Sequence, residues 1–231
     1  MPTILNTPEK LILRLEISEP LANSIRRSVT EIPTLSISDV EIFKNDSALY
    51  DEVLAHRLGL IPLKTEKSMS DKTKIDLKLS KKGPGTVYAS DLSGNAEIIF
   101  PKMPITLLND GAKLELVASA SLGTGLEHAK HTPGICFYRH LLEIKSSTEI
   151  DKIIQKSKSF FKSEKSGNKW ICDLNDVEIS QIEKIDKSAI SDSKEMLFII
   201  ESFGMLSAKD ILQGAIKALG KNLDSFEKAL K

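Results

Sequence analysis

Apolar residues recur in two different periods along the first part of the chain, and each period predicts a different element. They alternate with other residues from Leu11 to Ile17, which is typical of a half-buried strand. Ser18 then offers an N-cap, Pro20 falls in the first helical turn, and Pro33 ends the segment. At about 100° per residue, four side chains of this helix form one apolar stripe within about 80°: Leu21, Ile25, Val29 and Ile32.

A second strand, a turn, a second helix and a β-rich section follow. Residues 35–43 alternate again, with a slip near Asp39, and residues 49–60 return to helical spacing before Pro62. Between about 65 and 145, glycine, proline and asparagine turns separate four predicted strands, at 75–79, 86–90, 114–121 and 137–143. This section therefore predicts a mostly β subdomain. Residues 146–192 are rich in serine and lysine and weakly periodic, with a hairpin signal around 166–168.

The last part of the chain predicts a buried strand and a long helix. Residues 196–200 form a continuous apolar run, and Ser207 with Asp210 resembles a capping box. A heptad seam then follows at alternating spacings of four and three: Leu212, Ile216, Leu219, Leu223, Phe226 and Leu230. The seam fits both a helix that packs against another helix and a helix that lies on its own sheet. Gly214 and Gly220 each weaken this helix by roughly 1 kcal/mol relative to alanine, which suggests that contacts from elsewhere offset the loss.

Composition narrows the class of protein. Of 231 residues 41% are hydrophobic, which is enough for a sizeable core, and 32 basic residues balance 32 acidic ones. A free-standing nucleic-acid binder usually carries a basic excess, so this balance favours a member of a complex. Cys136 and Cys172 are the two cysteines and form no Cys-x-x-Cys pair. No apolar run approaches the ~20 residues of a membrane span, and we expect no signal peptide and a cytoplasmic location.

Two groups of residues are candidates for chemistry or binding. Glu127, His128 and His131 are close enough to suggest a metal site, but zinc hydrolase signatures place two histidines one helical turn apart with a glutamate between them. A structural or interface loop is the alternative. Arg26 and Arg27 could bind phosphates, although such a pair on a helix is more often an interface or solvated surface. No set of nucleophile, base and orienting group emerges. The residues alone indicate a two-part α+β intracellular interaction protein that is not an enzyme on its own.

Several segments resemble one family in the expected order. LANSIRRSVTEIPTLSISDVEIFKNDSALYDEVLAHRLGLIPLKT is similar to the N-terminal block of the alpha-like subunits of DNA-directed RNA polymerase. Within that family it most resembles the archaeal D-type chains, counterparts of the third-largest eukaryotic subunit and of the bacterial alpha N-terminal domain. GTGLEHAKHTPG resembles the family's Gly-x-x-His-Ala-Lys-Trp-x-Pro loop, and FIIESFGMLSAKDIL resembles the strand and turn before its last helix.

The resemblance implies an α+β fold with a split dimerisation domain, two interface helices and an inserted mostly β domain. The split domain would contain residues 1–36 and 147–231, and the insert residues 37–146. The first and last helices would pair with the same two helices of a small L-like subunit of the same family. The apolar stripe from Leu21 to Ile32 and the seam from Leu212 to Leu230 would then be the dimer interface.

The resemblance also implies further contacts. Arg26 and Arg27 would face the second-largest subunit, and the insert would face a small N-like subunit. His128, Lys130 and His131 would form an interface loop. The catalytic metal and nucleotide sites of this family lie in the two largest subunits, so the chain would nucleate assembly without catalytic residues and without a direct catalytic contact to nucleic acid.

Two departures from the family pattern qualify these expectations. His131 stands where the family loop usually has tryptophan, so the contacts of that loop are expected to differ. Many archaeal D-type chains carry an iron–sulfur domain before the final strand, whereas residues 146–192 hold one cysteine, Cys172. A cubane cluster needs about four thiolates. We therefore expect a reduced remnant of that domain, with no iron–sulfur cluster and no other cofactor.

Two alternatives to a polymerase subunit remain. One is a homodimeric adaptor that uses the same two helices, and the other is a metal-dependent enzyme built on Glu127, His128 and His131.

Overall fold

A computed structural model describes residues 3–231. Within that range the chain forms twelve strands and five α-helices. In order they are β1 (Thr3–Asn6), β2 (Lys10–Leu15), α1 (Glu19–Ser28), β3 (Thr34–Asn45), α2 (Asp51–Gly59), β4 (Lys74–Lys82), β5 (Gly85–Tyr88), β6 (Ser93–Gly94), β7 (Pro104–Leu108), β8 (Lys113–Gly123), β9 (Gly134–Lys145), α3 (Thr148–Lys156), β10 (Glu164–Ser166), β11 (Lys169–Cys172), α4 (Asp176–Ile185), β12 (Ile190–Ser202) and α5 (Ala208–Ala229). None of the described helices is both long and apolar enough to cross a membrane.

A six-stranded antiparallel sheet joins the two ends of the described chain. Its strand order is β1-β2-β12-β9-β11-β10, so β2 lies directly beside the last strand, β12. Leu11, Leu13 and Leu15 of β2 form a buried cluster with Ile211 and Ala215 of α5, and α1 packs into the same cluster. The sheet therefore brings the first and last helices together on one face, although most of the chain separates them in sequence.

The opposite face of this sheet is covered by the loop between α3 and β10. Phe161 of that loop clusters with Ile12, Leu141, Leu197 and Ile199, and each of the five side chains is at most 6% exposed. Strand β12 is thus buried on both faces. This confirms the buried strand that the continuous apolar run at 196–200 predicts.

The β-rich section forms its own core. One sheet has the order β3-β8-β4-β6, and β5 pairs with β7 in a second. Leu54 and Leu58 of α2 are fully buried against leucines of β4 and β8. The slip predicted near Asp39 is confirmed, because the pairing of β3 with β8 shifts register between Ile37 and Asp39. The mixed α/β architecture expected from the sequence is therefore present.

Strand β9 corrects the expected end of the insert. The sequence assigns residues 134–145 to the insert of 37–146, but β9 pairs with β12 in the six-stranded sheet from one end to the other. A period-two pattern identifies a strand without indicating which sheet it joins. The chain therefore returns to the first sheet between β8 and β9.

Residues 146–192, which the sequence pattern leaves unassigned, extend this sheet and add two helices. The predicted hairpin is confirmed, since β10 pairs with β11 around Gly167, whose φ is +60°. Side chains from α3, α4 and β11 form a buried cluster that includes Ile150, Ile154, Trp170 and Cys172. The segment is therefore a small packed lobe on the sheet.

Candidate assembly surface

Helix α1 is shorter than its apolar stripe suggests. Ser18 occupies the extended N-cap position and proline follows in the first turn, but the Ser18 side chain makes no capping hydrogen bond. The α-helix ends at Ser28, residues 29–31 form a 3₁₀ turn, and Ile32 is already extended. The spacing of 100° per residue therefore does not describe the positions of Val29 and Ile32, which follow the end of the α-helix.

The structure divides the four residues of the stripe into two groups. Leu21 is 43% exposed and Ile25 is half-buried, so both can contact a partner. Val29 and Ile32 are only 2% and 6% exposed, because they pack into the chain's own core with β2 and α5. The expectation that Val29 and Ile32 face a partner is therefore corrected, and they support the surface from beneath.

The first half of α5 lies on the chain's own sheet. Ser207 caps it as the sequence predicts, since its Oγ accepts a hydrogen bond from the Asp210 amide at 3.1 Å. Ala208, Ile211 and Ala215 are fully buried. Gly214 sits where α5 crosses the end of α1, and a Cβ there would lie 3.0 Å from Cδ1 of Ile32. The helix and the turn after α1 therefore approach closely.

The second half of α5 extends beyond that core. Residues 221–231 are all exposed and span about 16 Å at 1.5 Å per residue. The seam continues along this extension, where Leu223 is 61%, Phe226 66% and Leu230 72% exposed. Ile216, which precedes the extension, is 50% exposed. Leu212 and Leu219 are half-buried. The first half of α5 therefore lies on the chain's own sheet, as one interpretation of the heptad pattern predicts. The second half presents the exposed seam that the other interpretation, packing against another helix, requires.

The seam and the buried face of α5 have different mean directions, although Leu212 of the seam also packs against the core. At about 100° per residue the six seam residues lie within about 80°, and the mean direction of the three buried residues 208, 211 and 215 is roughly 70° away. A partner can therefore contact the seam without displacing α5 from its own sheet. We call the exposed seam residues of α5 together with Leu21 and Ile25 the assembly surface.

The arginine pair lies at the end of α1. Arg26 and Arg27 are both exposed in its last turn, where cations interact favourably with the helix dipole. The guanidinium of Arg26 donates to Oδ1 of Asn23 at 2.9 and 3.2 Å. Both arginines therefore lie at the surface, directly after Ile25 of the assembly surface.

In the loop between β8 and β9, Glu127 and His128 contact backbone of the loop itself and His131 contacts backbone of β3. Glu127 accepts from the Thr124 amide at 2.8 Å, Nδ1 of His128 accepts from the Lys130 amide at 3.1 Å, and Nδ1 of His131 lies 2.9 Å from the carbonyl oxygen of Thr34. Among residues 3–231 no group of three or more His, Cys, Asp or Glu side chains is arranged to hold a metal ion. Nothing in this geometry supports the metal-dependent enzyme.

His131 is a core residue, which corrects its expected place in an interface loop. Its side chain is buried, and burial lowers the pKa of the ring below its ordinary value. Thr34 Oγ donates to the carbonyl oxygen of His131 at 2.6 Å, and Lys130 Nζ donates to the carbonyl oxygen of Ile37 at 2.9 Å. A Cβ on Gly123 would lie 2.5 Å from Nε2 of His131, so this glycine makes room for the ring. His128 remains exposed.

Two contacts of the surface were not predictable from the sequence. Nδ2 of Asn222 donates to Oε2 of Glu31 at 2.7 Å and ties the extension of α5 to the turn after α1. Nε2 of His140 lies 2.8 Å from Oε1 of Glu19, the first residue of α1. Both pairs are far apart in sequence, and neither has a local pattern that could have identified it.

Comparison with known proteins agrees with this architecture. Residues 40–137 match the family model described as RNA polymerase Rpb3/RpoA insert domain. DNA-directed RNA polymerase subunit Rpo3 of Methanothermobacter thermautotrophicus is 33% identical over 231 residues, which cover 88% of each chain. The Rpo3 subunit of Methanocaldococcus jannaschii is 31% identical over 96% of this chain and 91% of its own length. That of Thermococcus kodakarensis is 40% identical, over 58% of this chain and 56% of its own length. The chain therefore belongs to the Rpo3 family of subunits of DNA-directed RNA polymerase.

Proposed function

We propose that the chain is a D-type assembly subunit of RNA polymerase, which pairs with a small L-like subunit through the assembly surface. The pair then forms the platform on which the second-largest and largest subunits assemble for transcription. Arg26 and Arg27 face the second-largest subunit, and the β-rich insert faces a small N-like subunit. The chain takes part in nucleotidyl transfer only as a member of the polymerase and carries no catalytic residue.

The observation that carries this proposal is the solvent-exposed second half of α5, residues 221–231, in which no side chain is buried. In proteins most of the stability of a helix comes from tertiary packing of its apolar face, and this part of α5 has no such packing. Gly220 lowers its stability further, and no atom lies within 4 Å of the position of the missing Cβ to offset that loss. The extension nevertheless carries Leu223, Phe226 and Leu230 at heptad spacing, each more than 60% exposed. A coiled-coil-like partner would stabilise the helix and bury these side chains at once.

We assign different roles to the two units of the fold. The six-stranded sheet with α1 and α5 is the dimerisation domain, and β3 to β8 with α2 is the insert between its halves. This arrangement places α1 and the first half of α5 on the six-stranded sheet, while the insert offers a separate surface. The lobe at 146–192 is a reduced remnant of the family's iron–sulfur domain.

The cysteine chemistry supports a chain without a cluster. Burial raises the pKa of the Cys172 thiol to about 12, and that of Cys136 likewise to about 12, so both stay protonated at neutral pH. A cubane cluster also needs about four thiolates, whereas these two cysteines lie in separate buried clusters. We propose that the protein holds no cofactor and works in the reducing cytoplasm.

Co-expression with a small L-like subunit tests the proposal. Sedimentation equilibrium should show a 1:1 heterodimer, and the chain alone should associate only weakly with itself. A stable homodimer that ignores the small subunit would establish the homodimeric adaptor instead. A monodisperse monomer that remains a monomer with the small subunit present would remove both.

A further inference from the structure

The imidazole ring of His140 lies between the first turn of α1 and the sheet on which α1 packs. Nδ1 of His140, on β9, is 3.0 Å from the carbonyl oxygen of Ser193, and its Nε2 is 2.8 Å from Oε1 of Glu19. A carbonyl oxygen and a carboxylate can only accept hydrogen bonds. A neutral imidazole has a single N–H, so only the protonated ring can donate to both partners. The geometry therefore fits the imidazolium form.

The charges around the ring favour that form. The hydrogen bond to Glu19 raises the pKa of His140 above its ordinary value, and the nearby carboxylate of Asp192 on β12 acts in the same direction. The neighbouring Arg139 is paired with Asp173 at 2.5 Å. His140 and Glu19 keep 25% and 62% side-chain exposure, so solvent screens their attraction and its effect is modest.

The position of Glu19 connects this ring to the assembly surface. Glu19 opens α1, and Leu21 follows in the same turn, with Ile25 one turn later. A contact that fixes the first turn therefore fixes the direction in which Leu21 is presented. We infer that His140 is a pH-dependent latch, which holds the first turn of α1 in place when protonated and thereby strengthens pairing with the partner subunit. The inference rests on the proposed function, because it concerns the same surface.

The direction of the pH dependence follows from the raised pKa. A histidine whose pKa is higher in the folded state contributes its full stabilisation below its ordinary value of about 6.5. That contribution is lost as the pH rises through the raised pKa of the folded state. We take pairing to require the first turn of α1 in its docked position, so a chain that has lost the contact must dock this turn again before the partner binds. Pairing should therefore be tighter at about pH 6 than at about pH 9, by about two- to fivefold in Kd, the range of a partly exposed ion pair.

Calorimetric titration with the purified L-like subunit at these two pH values tests the latch. Because groups of the partner also titrate, the change in Kd of the unmodified chain is compared with that of His140→Gln and Glu19→Gln. Both variants should lose the two- to fivefold difference in Kd between about pH 6 and about pH 9. His56→Gln, an exposed histidine of α2, should keep it. An unchanged pH dependence in His140→Gln and Glu19→Gln would overturn the inference.

A second measurement needs no partner and separates the latch from the proposed function. NMR titration of the full chain should give the His140 ring a pKa above 6.5, and Glu19→Gln should lower it. If the ring titrates this way but the L-like subunit fails to bind at either pH, the proposed function fails, the effect on pairing fails with it, and only the protonated contact between His140 and Glu19 stands. If the L-like subunit binds but the ring titrates at or below its ordinary value, the latch is wrong and the proposed function stands.

Discussion

Truncation of Leu223 to alanine should weaken pairing without weakening the fold of the lone chain. Leu223 is 61% exposed and lies in the extension 221–231, where no side chain is buried. Complete burial of a leucine side chain is worth about 1.5–3 kcal/mol, so a partner that covers the exposed part gains roughly 1–2 kcal/mol from it. Loss of that gain predicts a Kd about five- to thirtyfold higher.

The assay is the Kd of each purified variant for the L-like subunit, together with its thermal unfolding temperature. Leu107→Ala is the matched control, because Leu107 of β7 has the same 61% exposure but lies in the insert. Phe226→Ala, on the same seam, should reproduce the loss of affinity. All three variants should unfold at the temperature of the unmodified chain, since none of the truncated side chains belongs to a buried core.

Two results would refute this reasoning. Leu223→Ala and Phe226→Ala could both bind as the unmodified chain does, or Leu107→Ala could weaken pairing as much as they do.

Ile25→Asp is a less informative change, although it should also abolish pairing. Ile25 packs partly against the chain's own core, so a buried charge there would also lower the free energy of unfolding.

The remaining predictions concern stability and composition. Gly220→Ala should stabilise the lone chain by about 1 kcal/mol in urea unfolding, whereas Gly214→Ala should gain less because its Cβ would press on Ile32. His131 has a lowered pKa, so its contribution to stability is complete above about pH 6.5 and is lost as the pH falls below that value. His131→Gln should therefore reduce the loss of unfolding free energy between about pH 7 and pH 5. Elemental analysis of the purified chain should find no stoichiometric iron or zinc.

A specific result would contradict each of these predictions. Equal gains from the two glycine substitutions would show that α5 does not approach the end of α1 closely. An unchanged pH profile in His131→Gln would mean that the ring is not the group that titrates. Stoichiometric iron in the purified chain would show that the lobe at 146–192 binds a cluster in spite of its single cysteine.

The sequence predicted the elements better than it predicted their burial. Alternation and turn residues identified the main strands, and the register slip near Asp39 was visible because the apolar residues change phase there. The capping serine and the heptad spacing likewise identified α5. These features are local, so a short window of residues contains them.

Properties that depend on distant segments could not be predicted. Ile32 has the right spacing for the stripe of α1, but the chain leaves the α-helix before it, and it packs against Gly214 instead. The alternation of β9 does not reveal that its partner is β12. His131 resembles a metal ligand or a surface residue until its ring is seen against Thr34. In each case the deciding contact lies far away in the sequence.

Hydrogen exchange of residues 221–231 tests the assembly role of α5 most directly. The amides of this extension should exchange rapidly in the lone chain, because no tertiary contact buries its side chains. They should become strongly protected when the L-like subunit is added, while the amides of β7 should not change. Rapid exchange that persists in the presence of the small subunit would contradict the claim that α5 is the pairing helix.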